Sequence, residues 1–193
     1  MVGAGCVVPA RRWGKPGNMG NDEGTDPHWQ TRRIHRLPDQ AYRGRVAVGF
    51  TACVRERKPA LANPEVVNGL VPLLARAVRA FACTALIYTF MPDHLHVLIL
   101  GTTAEADTKA AMNKFKALSS LWLYRRRPDV HWQDGYYDRI LDGHSRPDKQ
   151  AWYIALNPVR RGLVADPFSW PYTGSIGHDL GEVLDFGARD NGP

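Results

Sequence analysis

Cysteine is scarce in this chain: three in 193 residues, Cys6, Cys53 and Cys83, odd in number and far apart. That excludes a disulfide framework and a thiolate metal site, which need cysteines in pairs or at short spacings. No apolar run approaches the roughly 18 residues that a bilayer-spanning helix requires. The segment Met1 to Ala10 lacks the charged start and sustained apolar centre of a signal peptide, so a cytoplasmic protein without a membrane partner is expected. No internal repeat is visible. What remains is a length close to that of one domain, with aliphatic and aromatic residues sufficient for a single core.

Acidic residues are also in deficit, 19 against 25 Lys and Arg, giving a net charge of +6. The imbalance is local. Between Lys109 and Arg127 stand Lys109, Lys114, Lys116, Arg125, Arg126 and Arg127 with no acid among them, while Ala111, Phe115, Leu118 and Trp122 recur at helical spacing. The pattern predicts a helix with an apolar side and a cationic outer side. Such a face is often merely solvated, but the lack of balancing acids points to an anionic partner, nucleic acid above all. Lys114, Lys116, Arg125, Arg126 and Arg127 are the candidate phosphate contacts, and Trp132, Tyr136 or Tyr137 could stack on an unpaired base, although for each ring a core position is the plainer reading.

Residues 1–33 are rich in Gly, Pro, Asn and Arg without periodicity and read as a disordered basic leader. Residues 34–175 carry the elements, and 176–193 read as a flexible tail. Strand character is seen over 45–54 and 82–90, with a helix over 63–80 opened by Asn63-Pro64. Residues 131–141 read as a short strand or a structured loop around Gly135.

Two segments carry chemistry. In Pro92-Asp93-His94-Leu95-His96-Val97-Leu98, a turn leads into a strand whose alternation puts His94 and His96 on one face, where two imidazoles can share a metal ion. Two hydrogen-bonded structural histidines are the competing reading. Further on, Ser145 with Asp148 three residues later and Pro147 between them suggests a capped helix over 146–157. On it Ala151, Ile154 and Ala155 share one side, and Lys149, Gln150, Tyr153 and Asn157 the other. Tyr153 thus faces away from the apolar side, although Asn157 precedes a proline that biases it from helical geometry.

Taken together, Met91-Pro92-Asp93-His94-Leu95-His96-Val97-Leu98, Trp132-Gln133-Asp134-Gly135-Tyr136-Tyr137-Asp138-Arg139, Tyr153-Ile154-Ala155-Leu156-Asn157-Pro158-Val159-Arg160-Arg161-Gly162-Leu163-Val164 and the Trp170-Pro171-Tyr172 neighbourhood resemble the REP-associated tyrosine transposases. These are relatives of the single-tyrosine transposases of small insertion sequences, within the HUH nuclease superfamily. The resemblance covers roughly residues 36–175. It implies an α+β fold of ferredoxin-like HUH nuclease architecture, with a central antiparallel sheet and packed helices. It further implies His94, His96 and Asn157 as ligands of Mg²⁺ or Mn²⁺, Tyr153 as nucleophile, and single-stranded or hairpin DNA as partner in a nucleoid-associated reaction. A homodimer is one way for a single tyrosine per chain to complete two strand exchanges. Two other readings stay open: a hairpin-binding protein that does not cut, and a metal hydrolase using activated water with Tyr153 structural.

Overall fold

In the computed structural model, residues 37–141 and 145–189 are described; the basic leader expected over 1–33 lies outside them. Five strands, β1 (Ala47–Cys53), β2 (Cys83–Met91), β3 (His94–Gly101), β4 (Tyr137–Leu141) and β5 (Thr173–Ile176), form one antiparallel sheet in the order β4-β1-β3-β2-β5. Helices α1 (Pro64–Arg79) and α2 (Thr108–Arg126) fall after β1 and after β3. The first four strands and two helices therefore make the ferredoxin-like βαββαβ unit, with β5 added to the free edge of β2. This is the expected α+β architecture.

Strand alternation sorts the core into two layers. Leu95, Val97 and Ile99 of β3 join Phe50, Leu70, Leu74, Met112 and Phe115 on the face covered by α1 and α2. The opposite face holds Leu98 and Ile87 against Ala151, Ile154 and Ala155 of α3 (Pro147–Ala155). Helix α1 starts where Asn63 accepts from the Glu65 amide at 2.8 Å, with Pro64 in the first turn. Gly69 lets α2 approach it closely, because a Cβ there would stand 2.2 Å from the Trp122 ring.

Three local expectations are corrected. The helix over 146–157 is two helices, α3 and the four-residue α4 (Asn157–Arg160), since Pro158 has no N–H to carry the ladder onward. Its N-cap is Arg146 rather than Ser145, and no side chain bonds the cap. Asp148 instead faces the Arg146 guanidinium, with Oδ1 3.2 Å from Nε and Oδ2 2.5 Å from Nη2, a charge-assisted pair stronger than a neutral capping bond. Finally, residues 176–193 do not form a flexible tail throughout: Leu180–Arg189 is a helix, α5, whose Val183 and Leu184 are buried against the α3 layer. Burying each such side chain contributes about 1.5–3 kcal/mol toward holding this helix against the α3 layer.

Candidate active site

Pro92 and Asp93 are the two loop residues of the β2–β3 hairpin, in which Met91 pairs with His94 and Thr89 with His96. The turn is fixed from outside. Val54 donates its amide to the Asp93 carbonyl at 2.9 Å and Leu61 to that of Pro92 at 2.8 Å. His94 and His96 then share the face of Leu98, the layer against which α3 packs. Their Nε2 atoms lie 3.0 Å apart, and the rings meet edge to face at 89°.

Each imidazole is held from behind. His94 Nδ1 donates to Asp93 Oδ1 at 2.6 Å, and Asp93 Oδ2 accepts from Arg57 Nη1 at 3.3 Å. His96 Nδ1 is 2.9 Å from the Thr51 hydroxyl on the paired strand β1. The consequence is a defined proton arrangement. With the Asp93 carboxylate accepting, His94 carries its proton on Nδ1 and directs a lone pair from Nε2. Thr51 can accept or donate, so His96 can supply the N–H between the two ε nitrogens or release it while turning its own lone pair the same way.

The electrostatics keep both rings neutral. Burial foremost pushes His94 down, with Asp93 opposing and the charges of Arg57 and Arg161 adding to the depression. His96 is lowered to about 3, again by burial first and then by His94, Arg161 and Arg57. Asp93 lies below the usual carboxylate range: burial would raise it, but the His94 hydrogen bond and the charges of His94, Arg57 and Arg161 outweigh that. Arg57 and its neighbour Glu56 adopt φ values of 54° and 58°, a left-handed backbone that costs each non-glycine residue roughly 1–2 kcal/mol. That strained corner brings Arg57 to Asp93.

Two neutral imidazoles with carboxylate and hydroxyl partners at their far nitrogens fit a divalent cation. Ligand bonds of about 2.0–2.1 Å meeting at a right angle would separate two nitrogens by about 2.9 Å, close to the spacing seen. Among the described residues, no group of three or more His, Cys, Asp or Glu side chains is placed to hold a metal, so further donors would be oxygens of other kinds. Asn157, the residue that the resemblance implies as a third ligand, is the first residue of α4. Its Nδ2 donates to the Tyr153 and Ile154 carbonyls at 3.1 Å each, closing the end of α3, and Oδ1 takes no part in those bonds.

Tyr153 stands on the outer side of α3, as its spacing predicts, with half of its surface exposed. The Arg160 guanidinium covers its ring at 4.0 Å from the centroid, a cation–π contact across the break between α3 and α4. Tyr153 also lines a groove of about 430 Å³ between α3 and the edge strand β4, together with Arg139, Arg146, Lys149 and Gln150 among others. Sequence reading missed Arg139, Arg57 and Arg161. Arg139 carried a signal in its place two residues after Tyr137 on one strand face; Arg57 and Arg161 are brought to the histidines by turns that no periodicity reveals.

The cationic helix is elsewhere. α2 packs on the sheet face opposite the histidines, so Lys114, Lys116, Arg125, Arg126 and Arg127 are not gathered at this site. Lys116 Nζ donates to the Gln133 carbonyl at 2.7 Å and to that of Gly135, bracing the loop before β4. Arg127 binds Asp129 through two bonds of 3.1 Å. Lys114, Arg125 and Arg126 remain exposed. Trp132 and Tyr136 are core rings, donating to Ser119 and Asn113 respectively, whereas Tyr137 is partly exposed and pairs with Thr51 on the histidine face.

A solved structure of a REP-associated tyrosine transposase bound to a REP hairpin matches with a TM-score of 0.61 at 17% identity, over 74% of this chain and 82% of that one. A second, from Deinococcus radiodurans R1 and provisionally assigned as a transposase, matches with a TM-score of 0.44 at 17% identity, over 64% of this chain and 95% of that one. No curated protein sequence matches. The pattern of the family described as "Transposase IS200 like" matches residues 44–156, which include the whole histidine hairpin and the tyrosine helix. The chain belongs to the IS200-like transposase family.

Proposed function

We propose that this chain is a metal-dependent endonuclease and strand transferase of single-stranded DNA, acting at hairpin-forming repeats through a covalent 5′-phosphotyrosine on Tyr153. The observation that carries it is the meeting of His94 and His96 Nε2 at 3.0 Å on the sheet face against which the Tyr153 helix packs. A relative of the same fold was solved on a REP hairpin, which supports the choice of substrate. His94, His96 and Asn157 Oδ1 would hold Mg²⁺ or Mn²⁺. When bound, the ion neutralises charge on the scissile phosphodiester and aligns the phosphorus for attack.

The residues of the chain do the rest. Asp93 and Thr51 fix the imidazoles, and Arg160 holds the Tyr153 ring. Tyr153 Oη attacks phosphorus, its proton passing to solvent; the bond from phosphorus to the 3′ oxygen breaks, and that oxygen takes up a proton. One phosphodiester is exchanged for another. Attack by a different 3′-hydroxyl reverses the reaction and joins strands without a nucleotide cofactor. Lys114, Arg125 and Arg126, on the far side of the sheet, would meet DNA away from the cut, while Lys116 and Arg127 chiefly brace their own loops.

The test is incubation with end-labelled hairpin DNA from repeats flanking its gene, in Mg²⁺ or Mn²⁺. A denaturant-resistant protein–DNA adduct that is lost in Tyr153→Phe and His94→Ala is the expected result. Binding without adduct or cleavage under any divalent ion would make this a non-cleaving hairpin-binding protein, and cleavage that survives Tyr153→Phe would make it a hydrolase using water.

A further inference from the structure

We propose that Arg160 is the phosphate-binding partner of Tyr153: its guanidinium, lying over the phenol ring, grips the non-bridging oxygens of the phosphodiester that Tyr153 Oη attacks and then carries. This rests on Tyr153 being the nucleophile, and it gives Arg160 a contact with the reacting group beyond holding the ring.

The placement of Arg160 is fixed by the turn that follows α3. Pro158 interrupts the helical ladder, and α4 closes on its own backbone, with the Arg160 amide donating to the Leu156 carbonyl at 2.9 Å and the Arg161 amide to that of Asn157 at 3.0 Å. Gly162 then ends the turn at φ 65°, a left-handed conformation open to glycine, and its amide returns to the Val159 carbonyl at 2.8 Å. Arg160 thus projects from a backbone held on both sides. The segment acts on Tyr153 twice. Asn157 Nδ2 donates to the Tyr153 carbonyl at 3.1 Å, and the Arg160 guanidinium lies 4.0 Å from the centre of its ring. Backbone and side chain of one tyrosine are held by residues four and seven positions further on.

Stability does not account for the pair. Both side chains are exposed, Tyr153 by half of its surface, and a cation–π contact in water contributes little to folding. What the guanidinium adds is chemical. It is always charged, less strongly hydrated than an ammonium, and presents its N–H bonds in a fork that matches phosphate oxygens. At 4.0 Å from the centroid it touches the ring, and a phosphorus bonded to Oη sits at the rim of that same ring. A small shift along the ring face brings the N–H donors to the phosphoryl oxygens. As the bond from Oη to phosphorus forms and the bond to the 3′ oxygen breaks, Arg160 exchanges no proton. It meets the negative charge that the non-bridging oxygens carry in the substrate, at the transition state and in the phosphotyrosine.

The experiment measures binding separately from chemistry. A Tyr153→Phe background keeps the ring under Arg160 and cannot form the adduct. In it, with Mn²⁺ present, affinity is titrated for a hairpin oligonucleotide with a single-stranded flank, and for a series in which one flank linkage at a time is a neutral methylphosphonate. Arg160 is compared with Arg160→Met, whose side chain can still cover the ring but carries no charge. At one linkage, the losses from neutralising the phosphate and from Arg160→Met should fail to multiply, with a coupling of about three- to tenfold. That linkage should be the one the unsubstituted protein cuts. Arg160→Lys should keep part of the coupling, and Arg79→Met, which removes one charge from an exposed position on α1, should show none. Thermal melting checks that each variant is folded. A merely structural Arg160 would lower affinity for every oligonucleotide by the same factor. Coupling at no linkage, or at a linkage other than the one cut, overturns the proposal. Coupling at one linkage with no adduct on Tyr153 in the unsubstituted protein would refute the nucleophile instead, and with it the phosphotyrosine contact.

Discussion

Replacing Asp93 by Asn tests the histidine pair at its most sensitive bond. The Asp93 side chain is 15% exposed, accepts from His94 Nδ1 at 2.6 Å and faces Arg57 at 3.3 Å. Asparagine keeps the size and an acceptor oxygen, so the imidazole can stay in place, but the negative charge that steadies the His94 tautomer is gone. Arg57 then stands near both rings with its charge unbalanced, which opposes a second cation. Loss of such an outer partner typically costs 10- to 100-fold in metal affinity, about 1.4–2.7 kcal/mol. The Arg57 effect places Asp93→Asn toward the upper end, and Thr51→Val, which removes a neutral partner of His96, toward the lower. Titration calorimetry with Mn²⁺ at pH 7.5 reads both, and thermal melting without metal checks that the fold persists. Binding of Mn²⁺ by Asp93→Asn within twofold of the unsubstituted protein, with the fold intact, would refute the reasoning.

Three further outcomes follow from the packing and the charges. Gly69→Ala gains helix propensity but drives a Cβ to 2.2 Å from the Trp122 ring, so a net loss of about 1–3 kcal/mol is expected from thermal denaturation, and an unchanged Tm would show that α1 and α2 have room to part. Leu184→Ala should cost about 2–5 kcal/mol by urea unfolding, because Leu184 is fully buried under α3, whereas a dispensable tail would tolerate it. For His96, the unfolded chain takes up a proton near pH 6.5 while the folded protein resists until about 3. The unfolded state then binds more protons in that window, so this group's contribution to stability is present above pH 6.5 and is lost as pH falls toward 3, at up to about 1.4 kcal/mol per pH unit. Urea unfolding at pH 7.5 and 5.5 checks the sign, and His96→Asn should flatten the dependence.

The elements of the sheet were legible because each is announced by local chemistry: alternation in His94–Gly101, the Asn63-Pro64 start of α1, and the two-residue turn that presents the histidines. The outward position of Tyr153 was legible for the same reason, since Ala151, Ile154 and Ala155 mark the opposite side. What escaped is what depends on layers. A cationic run beside apolar helical spacing states that α2 has an outer face, but which side of the sheet it covers is decided by chain topology, and that separates it from Tyr153. The helix Leu180–Arg189 was hidden behind Gly177 and a short polar stretch, although Val183 and Leu184 sit at adjoining positions that a core can use. Arg57 and Arg161 reach the histidines through turns, where sequence spacing carries no distance.

The most direct measurement is the identity of the residue joined to DNA. After reaction with a hairpin oligonucleotide and Mn²⁺, nuclease trimming and trypsin should yield the peptide Gln150–Arg160, whose one tyrosine is Tyr153, carrying the mass of a 5′-linked nucleotide. Nucleotide mass on that peptide and on no other is the predicted result. Mass on a different peptide, or cleaved DNA with every tyrosine unmodified, would contradict a Tyr153 transesterification.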